Sequence, residues 1–122
     1  MPPLALVCPD LLDDVLLRVL DNARKFAAPE RSLQIDVELG YVENYVTVTV
    51  TDNGIGLPLA VIPLIFEPFY QYNRDEREQQ GLGIGLAIVK QAMKIMGGKI
   101  EVSSVVNEGS TFSLYFPVAN PG

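Results

Sequence analysis

The chain has 122 residues, 48% of them hydrophobic, and its 15 acidic and 9 basic side chains give a formal net charge of −6. The length fits a single domain with its own core, and the apolar fraction argues against disorder. The negative charge disfavours a nucleic-acid role, because a protein that holds a phosphate backbone needs a basic surface.

Cysteine usage and hydropathy indicate where such a domain resides. The single cysteine, Cys8, permits no internal disulfide, which favours a reducing compartment. No apolar run approaches the length of a membrane span, and the start Met1-Pro2-Pro3 lacks the basic residues of a signal peptide. We expect a cytoplasmic segment without membrane contact of its own, whether or not a parent protein is anchored in a membrane.

The first predicted element is a helix over residues 10–27, which Asp10 is placed to cap. Its apolar residues recur at spacings of three and four: Leu12, Val15, Leu16, Val19, Ala23 and Phe26. Asn22 lies within this apolar stripe, where a buried amide needs hydrogen-bond partners. Two interpretations of Asn22 stay open, a satisfied structural amide or a side chain that faces a polar ligand.

Two strands follow, because residues 33–39 and 46–51 alternate between apolar and polar side chains, with a turn over 40–44. The first is predicted to be half-buried. Continuing the period of the second strand places the Asp52 carboxylate on the side of the valines, which is costly unless a donor meets it. The segment Asp52-Asn53-Gly54-Ile55-Gly56 is typical of a turn, and a simple turn capped by Asp52 is the alternative to a ligand site.

A short helix is predicted over residues 58–65, followed by the aromatic stretch Ile65–Tyr70 and the highly polar segment Gln71–Gln80. Such charged runs are usually plain surface. Here an aromatic anchor precedes the run and a glycine-rich loop follows it, which is the arrangement expected of a lid.

Three glycines then alternate with apolar residues over Gly81–Leu86. A backbone of this kind, leading into a helix over residues 84–96, presents N–H groups and a positive dipole end to phosphate. A hairpin over 99–103 and 110–116 completes the chain. The order of elements predicts an α+β fold, a two-layer sandwich with helices on one face of a mixed, mainly antiparallel sheet.

Taken together, four motifs resemble those of the ATP-binding catalytic domain of sensor histidine kinases, in the superfamily shared with DNA gyrase, MutL and heat-shock chaperone ATPases. Leu20–Phe26 resembles the asparagine box and Asp52–Gly56 the first glycine box, while Ile65–Phe69 resembles the phenylalanine box and Gly81–Leu86 the second glycine box. The resemblance covers about residues 10–118 and implies a Bergerat-type fold, with residues 1–122 as a single catalytic domain.

The resemblance implies Mg-ATP as the ligand. Asp52 would accept a hydrogen bond from the adenine amino group and repel the carbonyl of guanine. Asn22 would bind Mg²⁺ through its side-chain oxygen and Lys25 would meet the phosphates, which makes these two the catalytic candidates. The other implied nucleotide-binding residues are Phe26 near the base, Gly54 and Gly56 where the backbone approaches the nucleotide, and a phosphate cradle of Gly81, Leu82, Gly83, Ile84, Gly85 and Leu86.

The chain departs from the family pattern at Arg18, where the asparagine box often has a further asparagine and where an arginine cannot bind metal. It also contains no histidine. Sensor kinases phosphorylate a histidine on a separate helical dimerisation domain, which is absent here. The resemblance therefore implies that the γ-phosphoryl group is transferred to such a domain and from there to a response regulator.

Two alternatives stay open. One is an ATPase or serine-kinase module of the superfamily, although Asp14–Arg18 lacks the glutamate of gyrase-type members. The other is a nucleotide-binding pseudo-kinase that acts as an interaction module.

Overall fold

The computed structural model describes residues 8–68, 70 and 85–118, and within these ranges it contains two α-helices and two β-hairpins. In chain order these are α1 (Pro9–Lys25), β1 (Ile35–Val42), β2 (Tyr45–Asp52), α2 (Gly85–Ile95), β3 (Lys99–Val105) and β4 (Gly109–Pro117). Within the predicted helix over 58–65, only Ile62–Leu64 is helical, as a 3₁₀ turn that contains Pro63. In the ranges just given, no helix is both long and apolar enough to cross a membrane.

Helix α1 starts and ends slightly earlier than the sequence predicts. Cys8 is its N-cap residue, in an extended conformation and without a side-chain capping bond, and Pro9 takes the first helical position that its fixed φ suits. Asp10 therefore lies inside the first turn, where its charge stabilises the helix dipole, and the prediction that it caps the helix is wrong. Lys25 is the last helical residue, and Phe26 is the C-cap.

The sheet has the strand order β1-β2-β4-β3, and every pair of neighbouring strands is antiparallel. The predicted two-layer α+β sandwich is confirmed, and the part of the sheet that the structure describes is antiparallel throughout rather than mixed. Helix α1 packs on α2 and contacts β2, while α2 contacts β3 and β4. The helices thus cover the central and β3 side of the sheet.

Strand β1 is more exposed than its alternating pattern predicts. Val37 lies opposite Val50 and Leu39 opposite Val48, so both point to the helical side of the sheet. They are nevertheless 57% and 76% exposed. The cause is position, because β1 is the edge strand on the side of the sheet that the helices leave uncovered, whereas they pack on β2, β4 and β3.

The core lies between the helices and the inward faces of β2 and β4. Val48 and Val50 pair with Leu114 and Phe112 across these strands and pack against side chains of both helices: Val15, Val19, Val89 and Met93. The next inward pair in the same register is Asp52 with Ser110, and both are buried. The prediction that Asp52 faces the valine side is confirmed, and a polar pair closes one end of the apolar core.

Candidate functional site

Asp52 is the best-defined polar group at this end of the core. It is 6% exposed, and its Oδ1 accepts hydrogen bonds from the backbone N–H of Gly54 at 2.9 Å and of Ser110 at 3.3 Å. Its Oδ2 makes no hydrogen bond to the described residues. Every buried side-chain nitrogen or oxygen atom of these residues has a hydrogen-bond partner, so Oδ2, which has none, is in contact with solvent. One carboxylate oxygen is therefore fixed by the protein, while the other remains accessible as an acceptor.

The environment of Asp52 disfavours its charge. Burial raises the pKa of its carboxyl group above the ordinary value, and the hydrogen bonds from Gly54 and Ser110 oppose this shift without cancelling it. A donor that reached Oδ2 would relieve part of the cost of the buried charge.

Gly54 and Gly56 are required for a reason that the sequence does not reveal. A Cβ at Gly54 would overlap the carbonyl oxygen of Phe26, and a Cβ at Gly56 would overlap that of Val105. Gly56 also has a φ of +74°, which side chains rarely adopt. The backbone that approaches these glycines is the protein's own, and their contact with a nucleotide stays a prediction.

The turn between β3 and β4 holds the loop after Asp52 in place. Asn107 donates its backbone N–H to the carbonyl of Ile55 at 2.7 Å. The Ser104 hydroxyl accepts the N–H of Leu57 at 2.7 Å and donates to the carbonyl of Gly109 at 3.0 Å. The loop and the hairpin turn therefore form one hydrogen-bonded unit.

Arg31, in the loop between α1 and β1, joins this unit through its guanidinium group. Its Nε donates to the Asn53 carbonyl at 2.7 Å, and its Nη2 donates to the carbonyls of Gly54 at 2.7 Å and Asn107 at 2.9 Å. The sequence analysis did not single out Arg31, because a lone arginine in a loop forms no motif and is usually solvated.

The end of α1 meets the same loop through Phe26. The Phe26 N–H donates to the Asn22 carbonyl at 3.1 Å, and the Phe26 carbonyl accepts the N–H of Ile55 at 2.8 Å. Asn22 is half-buried, and its side-chain amide makes no hydrogen bond to the part of the chain that the structure describes. Asn22 thus offers its side-chain oxygen one helical turn from the loop that holds Asp52.

Lys25, the other catalytic candidate, is paired with an acidic neighbour. Its Nζ lies 3.6 Å from Oδ2 of Asp21, whose other oxygen accepts a hydrogen bond from Arg24 at 2.7 Å. Burial raises the pKa of Asp21, but the hydrogen bond from Arg24 and the charges of Arg24 and Lys25 outweigh it, so the net pKa is lowered. Because partly exposed pairs of this kind are weak, Lys25 can exchange Asp21 for another anion at little cost.

Helix α2 begins at Gly85, and a Cβ built there would meet no described atom within 4 Å. Leu86 is half-buried against the core, and Lys90 lies 5.8 Å from the ring centre of Phe66 in the predicted phenylalanine box. The predicted cradle residues Gly81, Leu82, Gly83 and Ile84 lie outside the described residues, as do Phe69 and the segment Gln71–Gln80 that was predicted to be a lid.

The structure therefore brings Phe26, Asp52 and Gly54 into direct contact and places Asn22 one helical turn away. Gly56, in the same loop, packs against Val105 instead. A sequence model of the family described as histidine kinase-, DNA gyrase B- and HSP90-like ATPases matches residues 8–120. The chain belongs to this family.

Curated relatives of this ATPase-family domain are sensor kinases. The signal transduction histidine-protein kinase ArlS of Staphylococcus epidermidis is 33% identical over 109 residues, which are 88% of this chain and 24% of ArlS. The sensor protein kinase WalK of Staphylococcus haemolyticus is 32% identical over 110 residues, which are 89% of this chain and 18% of WalK. The chain thus spans about a quarter or less of these relatives.

Solved structures agree in fold. The mycobacterial sensor histidine kinase MprB superposes with a TM-score of 0.80 at 29% identity, covering 93% of this chain and 76% of that chain. Full-length ShkA, solved in complex with AMPPNP, superposes with a TM-score of 0.81 at 28% identity, covering 99% of this chain and 24% of ShkA. The chain is therefore an ATPase-type domain of the kind found in two-component sensor kinases.

Metal ligands in proteins are most often acidic, histidine and cysteine side chains. Across residues 8–68, 70 and 85–118, no group of three or more His, Cys, Asp or Glu side chains could hold a metal ion. Asn22, with one amide oxygen, suits a hard cation that takes its remaining ligands from phosphate and water.

Proposed function

We propose that the domain binds Mg-ATP and donates the γ-phosphoryl group to a histidine on a separate dimerisation domain of a two-component kinase. The observation that carries the proposal is the Asp52 carboxylate, whose Oδ1 is held by two backbone N–H groups while Oδ2 is accessible. A fixed acceptor in a buried setting accepts a hydrogen bond from the exocyclic amino group of adenine and repels the guanine carbonyl. The similarity to ShkA, solved with the ATP analogue AMPPNP, supports this assignment.

The phosphate end of the proposed site uses groups on both helices. Asn22 would hold Mg²⁺ together with the phosphates, and the ion supplies neutralisation of the phosphate charge. Lys25 would leave Asp21 and contact phosphate with its ammonium group. Gly85 would present its backbone N–H at the start of α2, and Gly81, Leu82, Gly83, Ile84 and Leu86 complete the proposed cradle.

Transfer to another protein group is favoured over hydrolysis by the sequence of α1. Gyrase-type relatives carry a glutamate there to activate water, and Asp14–Arg18 contains none. The 122-residue chain has no histidine, so the phosphoacceptor of the proposed reaction is supplied by another domain or chain. A response regulator would then receive the phosphoryl group.

Calorimetric titration with Mg-ATP and Mg-GTP tests nucleotide binding, with Asp52→Asn as the matched variant. The asparagine Oδ1 retains the bonds from Gly54 and Ser110, but its NH₂ group opposes the adenine amino group. We expect the wild type to prefer ATP, and Asp52→Asn to fold while losing at least about tenfold in affinity, since a lost hydrogen bond and an unpaired donor are worth about 1.4 kcal/mol or more. Absence of ATP binding by the folded wild type would contradict the proposal.

Incubation with γ-labelled Mg-ATP and an isolated histidine-bearing dimerisation domain tests the transfer. We expect label on the histidine of the added domain and none without it. Steady release of phosphate in the absence of that domain would support the ATPase alternative. Tight ATP binding with no transfer to any dimerisation domain of a related kinase would support a pseudo-kinase.

A further inference from the structure

We propose that Arg31 is a positioning residue that sets the orientation of the Asp52 carboxylate and thereby the preference for adenine. The inference rests on the proposed nucleotide binding, and it extends that proposal to a residue outside all four motifs. Arg31 does not contact the accessible Asp52 oxygen. It acts through the peptide groups around Asp52.

The central contact is the peptide between Asn53 and Gly54. Arg31 Nε donates to the carbonyl oxygen of this peptide at 2.7 Å, and the N–H of the same peptide donates to Asp52 Oδ1 at 2.9 Å. Because a peptide group is planar, fixing its carbonyl fixes the direction of its N–H. A cationic donor on the carbonyl also polarises the peptide and strengthens the bond that the N–H makes.

The second nitrogen of the guanidinium secures the surroundings of this peptide. Nη2 donates to the carbonyl of Gly54 at 2.7 Å and to that of Asn107 at 2.9 Å. Asn107 in turn donates its N–H to Ile55 at 2.7 Å. Arg31 therefore holds both the loop after Asp52 and the hairpin turn that supports it.

Only an arginine can make this set of contacts from this position. Its planar group carries five N–H donors in a fixed fork, whereas a lysine has one nitrogen with three donors and cannot span three carbonyls in this arrangement. Among the described residues, the guanidinium has one acidic partner, Glu30. Arg31 Nη1 lies 3.0 Å from Glu30 Oε2, and the Glu30 side chain is 63% exposed. That ion pair is peripheral, because exposed pairs contribute little.

The test compares Arg31→Lys with the control Glu30→Gln, which removes the ion pair and keeps the three carbonyl contacts. Affinities are measured for Mg-ATP and Mg-ITP, whose bases differ at the 6-position that Asp52 is proposed to read. We expect Arg31→Lys to reduce the preference for ATP over ITP at least tenfold, and Glu30→Gln to leave it unchanged. An equal loss of affinity for both nucleotides, or no loss, would overturn the proposal, since a purely structural role predicts equal losses.

A measurement without nucleotide separates this inference from the proposed function. Amide hydrogen exchange of Gly54 in the free protein reports the bond to Asp52 directly. We expect exchange at Gly54 to be at least tenfold faster in Arg31→Lys than in wild type or Glu30→Gln, and Arg31→Gln to behave like Arg31→Lys. Unchanged Gly54 exchange in whichever of these two variants folds would overturn the positioning role, whereas failure of the wild type to bind ATP would overturn only the proposed function.

Discussion

Glycine has opposite roles in two regions of the molecule. One region is the loop after Asp52 together with the start of β4, and the other is the start of α2. At Gly54, Gly56 and Gly109, a Cβ would overlap a carbonyl oxygen of the protein, belonging to Phe26, Val105 and Asp52 respectively. At Gly85, a Cβ would meet no described atom within 4 Å. The first group is needed to close the structure around the Asp52 carboxylate. Gly85 leaves space that no described residue fills, which is what a ligand contact requires.

The largest effect that this comparison predicts is on stability at Gly56. Replacing Gly56 with alanine places a methyl group against the Val105 carbonyl at a φ of +74°. We expect a loss of about 3 kcal/mol in the free energy of unfolding, from overpacking together with a disfavoured backbone conformation. Urea unfolding followed by circular dichroism measures it. A variant within about 0.5 kcal/mol of wild type, the usual range for neutral surface changes, would break the comparison.

A smaller effect is expected in the pH dependence of stability at Asp52. Burial raises the pKa of the folded carboxyl group above its unfolded value, so the folded state favours the protonated form. Its contribution to stability is therefore fully present below the unfolded pKa and is lost as the pH rises through the folded pKa. The cost of the charge grows across that window by about 1.4 kcal/mol for each unit between the two pKa values.

Urea unfolding of the wild type and Asp52→Asn over a pH series measures this cost, because asparagine does not titrate. We expect the stability of Asp52→Asn relative to wild type to increase from acid pH towards neutrality and then to level off. A stability difference that does not vary with pH would show that the pKa of Asp52 is the same in the folded and unfolded states. The buried charge of Asp52 would then not destabilise the fold.

The smallest expected change in stability is at Gly85, the counterpart of Gly56. Alanine at the start of α2 meets no described atom and is the better helix former, so Gly85→Ala should be as stable as wild type or more stable by up to about 1 kcal/mol. Its affinity for Mg-ATP should nevertheless fall, because the methyl group occupies space proposed for phosphate. Wild-type affinity in this variant would exclude Gly85 from the cradle, and a loss of stability would show that its surroundings are filled.

The sequence predicted those parts of the molecule that follow from local periodicity. The alternation of β2 placed Asp52 on the core side, and the spacing of apolar residues predicted the buried stripe of α1, including Val15 and Val19. The exposure of Leu39 was not predictable in this way, because alternation does not reveal which strand of a sheet lies outside the helices.

The supporting contacts of the site were not predictable either. Arg31 binds carbonyl groups, which every residue carries, so no residue type at the other end identifies the contact. The glycine requirement at Gly56 depends on Val105, a residue of the distant hairpin. Both are products of the tertiary arrangement. The first glycine box predicted only a nucleotide contact for Gly56, and Arg31 lies outside all four motifs.

The bonds of Arg31 also bear on when the site forms during folding. They close sequence separations of 22, 23 and 76 residues, whereas each hairpin needs only neighbouring strands to pair. Closing a loop over a long sequence separation lowers the conformational entropy of the chain before the contact is made, so such contacts form after local ones. The Asp52 loop should therefore reach its final geometry only once both hairpins are paired, and the proposed nucleotide would bind only chains that have completed folding.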